Sequence, residues 1–431
     1  MPNISLSNMT RVFARIGCLS FGGPAGQIAL MHRELVDERQ WVAEDEFLHA
    51  LNFCHLLPGP EAQQLATYIG WKLHGARGGL IAGLLFVLPG AAVMLALSML
   101  YVLAADLHWF QALFLGIKAA VLAIVVQALL RVAGKALGTR FKMMLAVLAF
   151  ILIGVFALPF PLVVLGLGAL GFIVAQTNPD WLGLASGQTQ PDLPPRPPLA
   201  NTVRSILVWG LVWALPLALV LVLLGPDHVL CDIGLFFSKL AVVTFGGAYA
   251  VLAYMAQQAV EGFQWLRPGE MADGLGLAET TPGPLIMVTQ YVGFIAAFRT
   301  PDPFSPLIAG IAGAVLTTWV TFAPCFLWIF TFAPWVERLQ HASRLKGALS
   351  AVTAAIVGVI TNLALWFALH LLFTRSGGGQ LGGLALPDLS SFDARAAAIA
   401  AIGALLIFRA HWGIMPVLAV SAALGLVASL F

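Results

Sequence analysis

The chain has 431 residues, of which 60% are hydrophobic and only 10% charged, and its formal net charge is +2. Soluble domains carry about 25% charged residues, so this composition excludes an ordinary water-soluble globule and makes lipid the expected solvent for most of the surface. The net charge by itself says little, and nucleic acid is not expected as a partner. The four cysteines, Cys18, Cys54, Cys231 and Cys325, are scattered, with no CxxC pair and no matching His spacing. They read as small buried apolar residues rather than metal ligands or a disulfide framework. The chain has no HExxH, no GxxxxGK[ST] and no GxGxxG after a strand, so no metal, cofactor or catalytic residue is expected.

In chain order, Met1–Thr10 is polar and no cleavable signal peptide is expected. Met9–His32 and Phe47–His74 are apolar but interrupted, and each could cross the bilayer or dip in and return. Leu80–Ala104 and Leu107–Leu130 reach the ~20 residues that span a bilayer core. Leu145–Ala157 and Phe160–Ala175 are shorter and predict a hairpin. Residues 177–202, containing "NPDWLGLASGQTQPDLPPRPPLAN", are rich in Pro and polar residues and predict an exposed linker. Residues 203–230 hold the apolar run Ile206–Leu224, a connecting span. Leu307–Phe332 and Ala348–Phe373 are full spans again, and Ala396–Phe408 with Ile414–Phe431 make a second short pair. The expected fold is an all-α polytopic protein of the inner membrane with about 10–13 membrane segments.

The chain is also duplicated. "SFGGPAGQI" at Ser20–Ile28 and "TFGGAYAVL" at Thr244–Leu252 overlay at an offset of 224, which holds without a gap for forty positions with thirteen identities. Gln40 and Trp41 fall on Gln264 and Trp265, Glu46 on Glu270, and Pro58–Gly59–Pro60 on Pro282–Gly283–Pro284. After one deletion, Tyr68–Gly70 matches Tyr291–Gly293, and "GIKAAVLAIVV" from Gly116 resembles "GALSAVTAAIV" from Gly347. Repeat one covers 1–176 and repeat two 231–431. The connecting span has no counterpart in repeat one, so a single unpaired crossing would turn the second repeat over. Charge agrees: the basic loop Arg131–Lys142 follows the Gly116 helix in repeat one, whereas the basic stretch Glu337–Lys346 precedes the matching helix in repeat two. Lys and Arg favour the cytoplasm, which places the linker there. Inverted repeats with broken or re-entrant helices are the signature of secondary transporters, whose sites lie where the repeats meet.

A Gly pair in a membrane helix serves close packing as readily as function. The duplicated context favours a site. A hydroxyl precedes each FGG, Ser20 before Phe21–Gly22–Gly23 and Thr244 before Phe245–Gly246–Gly247. Pro-Gly-Pro cannot continue a regular helix, so each copy predicts a break between two half-helices, tolerated at depth only inside protein or beside a polar cavity. Free amides at the second half-helix would then favour an anion. Arg15 falls on Lys239 at the same offset, and two cations in apolar sequence point to function, although both stand near the start of an apolar run and could snorkel. The expected substrate-contacting set is Arg15, Ser20, Phe21, Gly22, Gly23, Pro58, Gly59, Pro60, Gln63, Lys239, Thr244, Phe245, Gly246, Gly247, Thr281, Pro282, Gly283 and Pro284. Glu61 and Glu279 are coupling candidates that could equally be caps, and Lys118 is a candidate gate or counter-charge.

These stretches, "SFGGPAGQIA" with "LLPGPEAQQLATYIG" and "TFGGAYAVL" with "TTPGPLIMVTQYVGF", resemble the chromate ion transporter (CHR) family in its two-repeat form. The resemblance covers nearly the whole chain and implies export of chromate from the cytoplasm, with sulfate, an isostructural dianion, as the same-class rival. One departure is Ala248 where repeat one has Pro24. A passive anion channel would use the same helix ends without alternating access, and a membrane-embedded enzyme would need a nucleophile–base pair or metal ligands that the sequence does not offer. Partners are the oxyanion and the bilayer, and a homodimer is admitted.

Overall fold

The computed structural model describes residues 4–21, 23–104, 107–184, 197–245, 248–267, 269–340, 342–373, 375–381 and 384–430. In chain order the helices are α1 (Leu6–Leu19), α2 (Gly23–His32), α3 (Glu44–Cys54), α4 (Glu61–Ala104), α5 (His108–Ala136), α6 (Arg140–Gly154), α7 (Phe160–Thr177), α8 (Leu199–Leu224), α9 (Val229–Val243), α10 (Ala248–Gln257), α11 (Glu270–Thr280), α12 (Val288–Arg299), α13 (Pro306–Phe332), α14 (Val336–Gln340), α15 (Ser343–Leu372), α16 (Ala394–Phe408) and α17 (Ile414–Ala428). A small antiparallel pair, β1 (Ser376–Leu381) and β2 (Leu384–Pro387), lies between α15 and α16. Among the described residues the fold is otherwise helical, and six apolar stretches are long enough to cross a membrane: Glu61–Ala104, His108–Ala136, Phe160–Thr177, Leu199–Leu224, Pro306–Leu339 and Ser343–Leu372.

Local sequence sets several boundaries. Ser5 Oγ accepts from Asn8 N–H at 3.3 Å, Thr139 Oγ1 from Lys142 N–H at 3.3 Å, and Asp393 Oδ1 from the amides of Arg395 and Ala396 at 2.9 and 3.0 Å, each satisfying an orphan donor of a first turn. The expected loop Arg131–Lys142 is mostly helix, with only 137–139 between α5 and α6. Of the expected linker, 185–196 lie outside the described residues, a 3-10 turn covers Pro179–Leu182, and the connecting span begins already at Leu199. Neither Met9–His32 nor Phe47–His74 is one helix. The first divides into α1 and α2, the second into α3 and the opening of α4, which itself kinks at His74 and Gly75. Helices of 14 and 10 residues rise about 21 and 15 Å, too little to cross alone.

The chain forms two compact units, and each draws on both repeats. One comprises Met1–Val102, Pro191–Ala248 and Leu277–His341; the other Leu103–Gln190, Tyr249–Gly276 and Ala342–Phe431.

In the first unit, Met9, Phe13, Ile16, Phe47, Phe53 and Phe86 form a dry cluster. Helices α12 and α13 meet through Gly293 and Gly313, where a Cβ on Gly313 would fall against the Gly293 carbonyl, the small-residue contact that lets membrane helices approach. Helix α8 buries no residue fully, as befits a span bathed in lipid. It is held to α13 by Trp319 Nε1 donating to the Val212 carbonyl at 2.9 Å and by Trp209 against Phe326 and Phe330, with ring centroids at 5.7 and 4.9 Å.

In the second unit the packing is exchanged between repeats. Helix α15 of repeat two packs on the α6–α7 hairpin of repeat one, and α5 of repeat one packs on the α16–α17 pair of repeat two. Glycines make both contacts: Gly347 meets Gly171 and Ala175, while its repeat-one equivalent Gly116 meets Ser421 and Gly425.

Candidate functional site

The hydroxyl–Phe–Gly–Gly stretches end helices in both repeats. Helix α1 stops at Leu19 and α2 starts at Gly23, whose φ of 69° requires glycine. Helix α9 stops at Val243 and α10 starts at Ala248. Gly22, Gly246 and Gly247 lie outside the described residues. Ser20 and Thr244 are buried, and each hydroxyl donates to the carbonyl four residues earlier, Ser20 Oγ to Ile16 at 2.7 Å and Thr244 Oγ1 to Leu240 at 2.6 Å. Their donor protons are therefore used within their own helices. Phe21 is 37% exposed.

Both Pro-Gly-Pro stretches are breaks. Pro58–Pro60 separates α3 from α4, and Pro282–Pro284 separates α11 from a 3-10 turn, Leu285–Met287, that leads into α12. The central glycines have φ of 118° at Gly59 and 88° at Gly283, values closed to most L side chains. A glycine N–H freed from helix must find an acceptor, and each finds it in the other repeat. Gly59 N–H donates to the Thr244 carbonyl at 2.7 Å, and Gly283 N–H donates to the Ser20 carbonyl at 2.8 Å. Residues 20 and 244, and 59 and 283, are equivalents at the 224 offset, so the two bonds are the same bond made twice with the repeats exchanged.

A second reciprocal contact surrounds the first. Helices α4 and α13 each carry an internal proline, Pro89 and Pro324. Gly90, one residue after the first, lies so close to Pro282 and Gly283 that a Cβ there would overlap the Pro282 carbonyl. Cys325, one residue after the second, has its Sγ 3.0 Å from where a Cβ on Gly59 would sit.

Four glutamines hold this knot. Gln27 Nε2 donates to the Gly283 carbonyl at 2.5 Å, Gln64 Nε2 to the Pro58 carbonyl at 2.6 Å, and Gln63 Nε2 to Thr67 Oγ1 at 3.1 Å. Gln290 Nε2 reaches the Ala91 carbonyl at 2.9 Å while its Oε1 accepts from Thr318 Oγ1 at 2.9 Å. Gln27, Gln63 and Gln64 are buried, and the side-chain oxygen of each has no hydrogen-bond partner among the described residues. Buried amides with unspent capacity are uncommon, and a primary amide offers two N–H donors as well as its oxygen. Thr281 Oγ1 donates to the Ala278 carbonyl at 2.9 Å and is otherwise buried. Glu61, the first residue of α4, is buried with His55 Nδ1 3.8 Å from its Oε1, and Glu279 is buried three residues before the second break. The amides of Glu61, Ala62 and Gln63 open a long helix, and all three residues are buried.

The two expected cations stand apart from this knot. Arg15 and Leu19 lie on the exposed face of α1, whereas Ile16 and Ser20 line its buried face. Arg15 Nε is 3.4 Å from Oε1 of Glu34, a fully buried carboxylate whose other oxygen is 2.8 Å from Arg39 Nη1. Lys239 is likewise exposed on α9. At the repeat offset Glu34 becomes Gln258 and Arg39 becomes Phe263, so repeat two lacks the cluster, and Phe263 stacks on Trp265 at 4.2 Å instead.

Sequence reasoning missed Gln27, Glu34, Pro89–Gly90 and Pro324–Cys325. The two internal prolines were visible as interruptions of otherwise perfect apolar spans. Gln27 carried no signal, because its equivalent is Val251.

The second unit has its own cleft, lined by Phe160, Tyr254, Gln257, Glu261, Asn362 and Trp366 among others, with Trp366 Nε1 3.4 Å from Glu261 Oε1. It contains no FGG or Pro-Gly-Pro residue. A carboxylate at its mouth makes it a poor receptor for an anion.

Together these features define a polytopic, predominantly helical membrane protein whose short helices break in cross-bonded pairs. The chain belongs to the chromate transporter family, whose model matches residues 7–172 and 231–426, one stretch in each repeat. It is similar over most of its length to a probable chromate transport protein of Synechococcus elongatus (31% identity, covering 84% of each chain) and to the chromate transport protein of Cupriavidus metallidurans (29% identity, 85% of this chain and 84% of that one). It is also 32% identical to the chromate transport protein of Pseudomonas aeruginosa over 83% of this chain and 80% of that one. These relatives are transport proteins, not enzymes. No solved structure matches the chain.

Proposed function

We propose that this protein is a secondary transporter that exports chromate across the cytoplasmic membrane, through an anion site at the cross-bonded breaks. The observation that carries the reading is the exchanged pair of bonds, Gly59 N–H to Thr244 and Gly283 N–H to Ser20. Two half-helix junctions, one from each repeat, are tied to one another inside a single compact unit, where a transporter of duplicated architecture holds its substrate.

The chemistry suits a small tetrahedral dianion. The buried first turn of α4 presents its opening amides and the positive end of a helix dipole. Gln27, Gln63 and Gln64 supply amide groups with capacity in hand. Arg15 and Lys239, on exposed helix faces, raise the local concentration of anions rather than gripping the ion in a closed pocket. The buried carboxyls of Glu61 and Glu279, one beside each break, are the coupling groups.

Direction follows from charge. An inside-negative potential favours exit of an anion by about 2.3 kcal/mol per charge per 100 mV, so a dianion gains about twice that on leaving. The two repeats lie in opposite senses in the membrane, a reading supported by the unpaired span α8, by the change of end of the basic stretches and by the exchanged contacts. Both basic stretches and the linker are then cytoplasmic.

The deciding experiment is transport by the purified chain in liposomes, with chromate, sulfate and molybdate in competition under an imposed potential. Chromate flux that saturates, follows the inside-negative potential outward and is inhibited weakly by sulfate is expected. Sulfate transported in preference to chromate would move the substrate assignment to sulfate, and flux without saturation at channel-like turnover would replace the carrier by a pore.

A further inference from the structure

One ion pair stands in the second unit at membrane depth and outside the breaks. Lys118 lies on α5, an apolar span of 29 residues, ten positions from its start, or about 15 Å along the axis. Its Nζ is 3.1 Å from Oδ1 of Asp273 in the first turns of α11, and the two side chains are 23% and 5% exposed. A charged pair this far into a span is costly, and similar volume in apolar side chains would serve packing at least as well. Stability alone does not account for it.

The pair occurs once. In repeat two the position of Lys118 is Leu349, and in repeat one the position of Asp273 is His49. The duplication that reproduces the breaks has not reproduced this contact.

Its surroundings resemble an occupied anion site. The ammonium lies against the start of α11, where a Cβ on Gly269 would come within 3.1 Å of Nζ. The backbone there is already capped on one side, with Arg267 N–H donating to Glu270 Oε2 at 2.7 Å. Two sources of positive potential, the lysine and the N-terminal end of α11, thus enclose one buried carboxylate. An oxyanion presents the same oxygen chemistry with one more charge.

We propose that Lys118 is a substrate-contacting cation masked by Asp273, and that the travelling dianion displaces the Asp273 carboxylate from it. This rests on the function proposed above and names a residue for it that the breaks do not contain. Displacement has a mechanical consequence, because α11 is one helix that begins beside Lys118 and ends at Thr280, two residues before Pro282. Releasing Asp273 frees the start of the helix whose end runs into the second break, so occupancy at Lys118 alters the restraint on that break. The mask also keeps the lysine from standing unpaired in lipid while no ion is bound.

The test is chromate transport by the full-length chain in liposomes, comparing wild type with Asp273→Asn and Lys118→Gln, with thermal stability measured in parallel. Removing the mask leaves the cation free, so the KM of Asp273→Asn falls by about threefold or more while kcat drops. Removing the cation raises the KM of Lys118→Gln by about tenfold. KM moving the same way in both variants means a merely structural pair and overturns the proposal. Should Lys118→Gln not fold, Lys118→Arg keeps the charge, and an Asp273→Asn variant whose KM rises or stays unchanged is equally fatal. A wild-type chain that moves none of chromate, sulfate and molybdate sinks the functional reading and this one with it; wild-type transport with parallel KM shifts sinks this one alone.

Discussion

The two Pro-Gly-Pro breaks are identical in sequence and differ in how they are held. Gly283 is gripped at both ends of its peptide. Ser20 accepts its N–H, Gln27 donates to its carbonyl, and Gly90 packs closely on the carbonyl of the preceding Pro282. Gly59 has the equivalent N–H bond to Thr244, but the position equivalent to Gln27 is the apolar Val251, and its outer neighbour is the thiol of Cys325. Gln64, from the same repeat, supports Pro58 instead. One break is clamped across the repeats by two hydrogen bonds and a backbone contact, the other by one bond and a deformable side chain.

The comparison can be broken at several levels of severity. Gly90→Ala drives a Cβ into the Pro282 carbonyl, a backbone atom that cannot step aside. A loss of about 3 kcal/mol or more is expected, seen as loss of monodisperse protein on size exclusion, whereas Cys325→Ala at the looser break keeps the protein folded. If both are tolerated alike, the clamp is not where the contacts place it.

Gly59→Ala and Gly283→Ala each force a side chain into positive φ, costing about 1–3 kcal/mol. Transport falls in both. Gly59→Ala is the worse for stability, because its Cβ also meets Gln64 Nε2 at 2.9 Å and Cys325 Sγ at 3.0 Å, while that of Gly283 meets nothing closer than 3.4 Å. The reverse order of melting temperatures would contradict the packing.

Gln27→Leu removes the donor to the Gly283 carbonyl and should cost about 1–3 kcal/mol. Val251→Leu at the equivalent site changes stability by less than about 1.5 kcal/mol. Equal losses would make the glutamine a packing residue only.

The smallest effect on folding is expected from Arg15→Gln, since Glu34 keeps Arg39 at 2.8 Å. Chromate flux should nonetheless fall below wild type at low ionic strength, and the difference should close in high salt, where the wild type loses its steering to screening. Single cysteines at Gly138 and Ala342, in a background lacking the four native thiols, should label from the same, cytoplasmic side; labelling from opposite sides would remove the inverted arrangement.

Much of this architecture was legible because Gly and Pro have backbone meanings that survive without context. The offset of 224 marked Ser20 with Thr244 and Gly59 with Gly283 as equivalents, and the breaks stand where Pro-Gly-Pro forbids helix. Which groups touch was not legible. An internal repeat says that two positions do the same thing, not that each does it to the other copy. The reciprocal bonds therefore appear only in three dimensions, as does the composition of each compact unit from both repeats. Arg15 shows the other limit. It falls on Lys239 at the offset, but its ion-pair partner is Glu34, whose counterpart in repeat two is the uncharged Gln258.

The exchanged packing of α5 on α16–α17 and of α15 on α6–α7 bears on what the linker is for. Each repeat presents notches and unspent backbone groups that only its twin completes, so neither half has a finished interior by itself. The covalent connection between the repeats, of which α8 is part, converts what would be an encounter between two molecules into an intramolecular closure at high effective concentration. Two separately encoded halves would meet the same physical requirement, provided that both were made in the same membrane in comparable amounts.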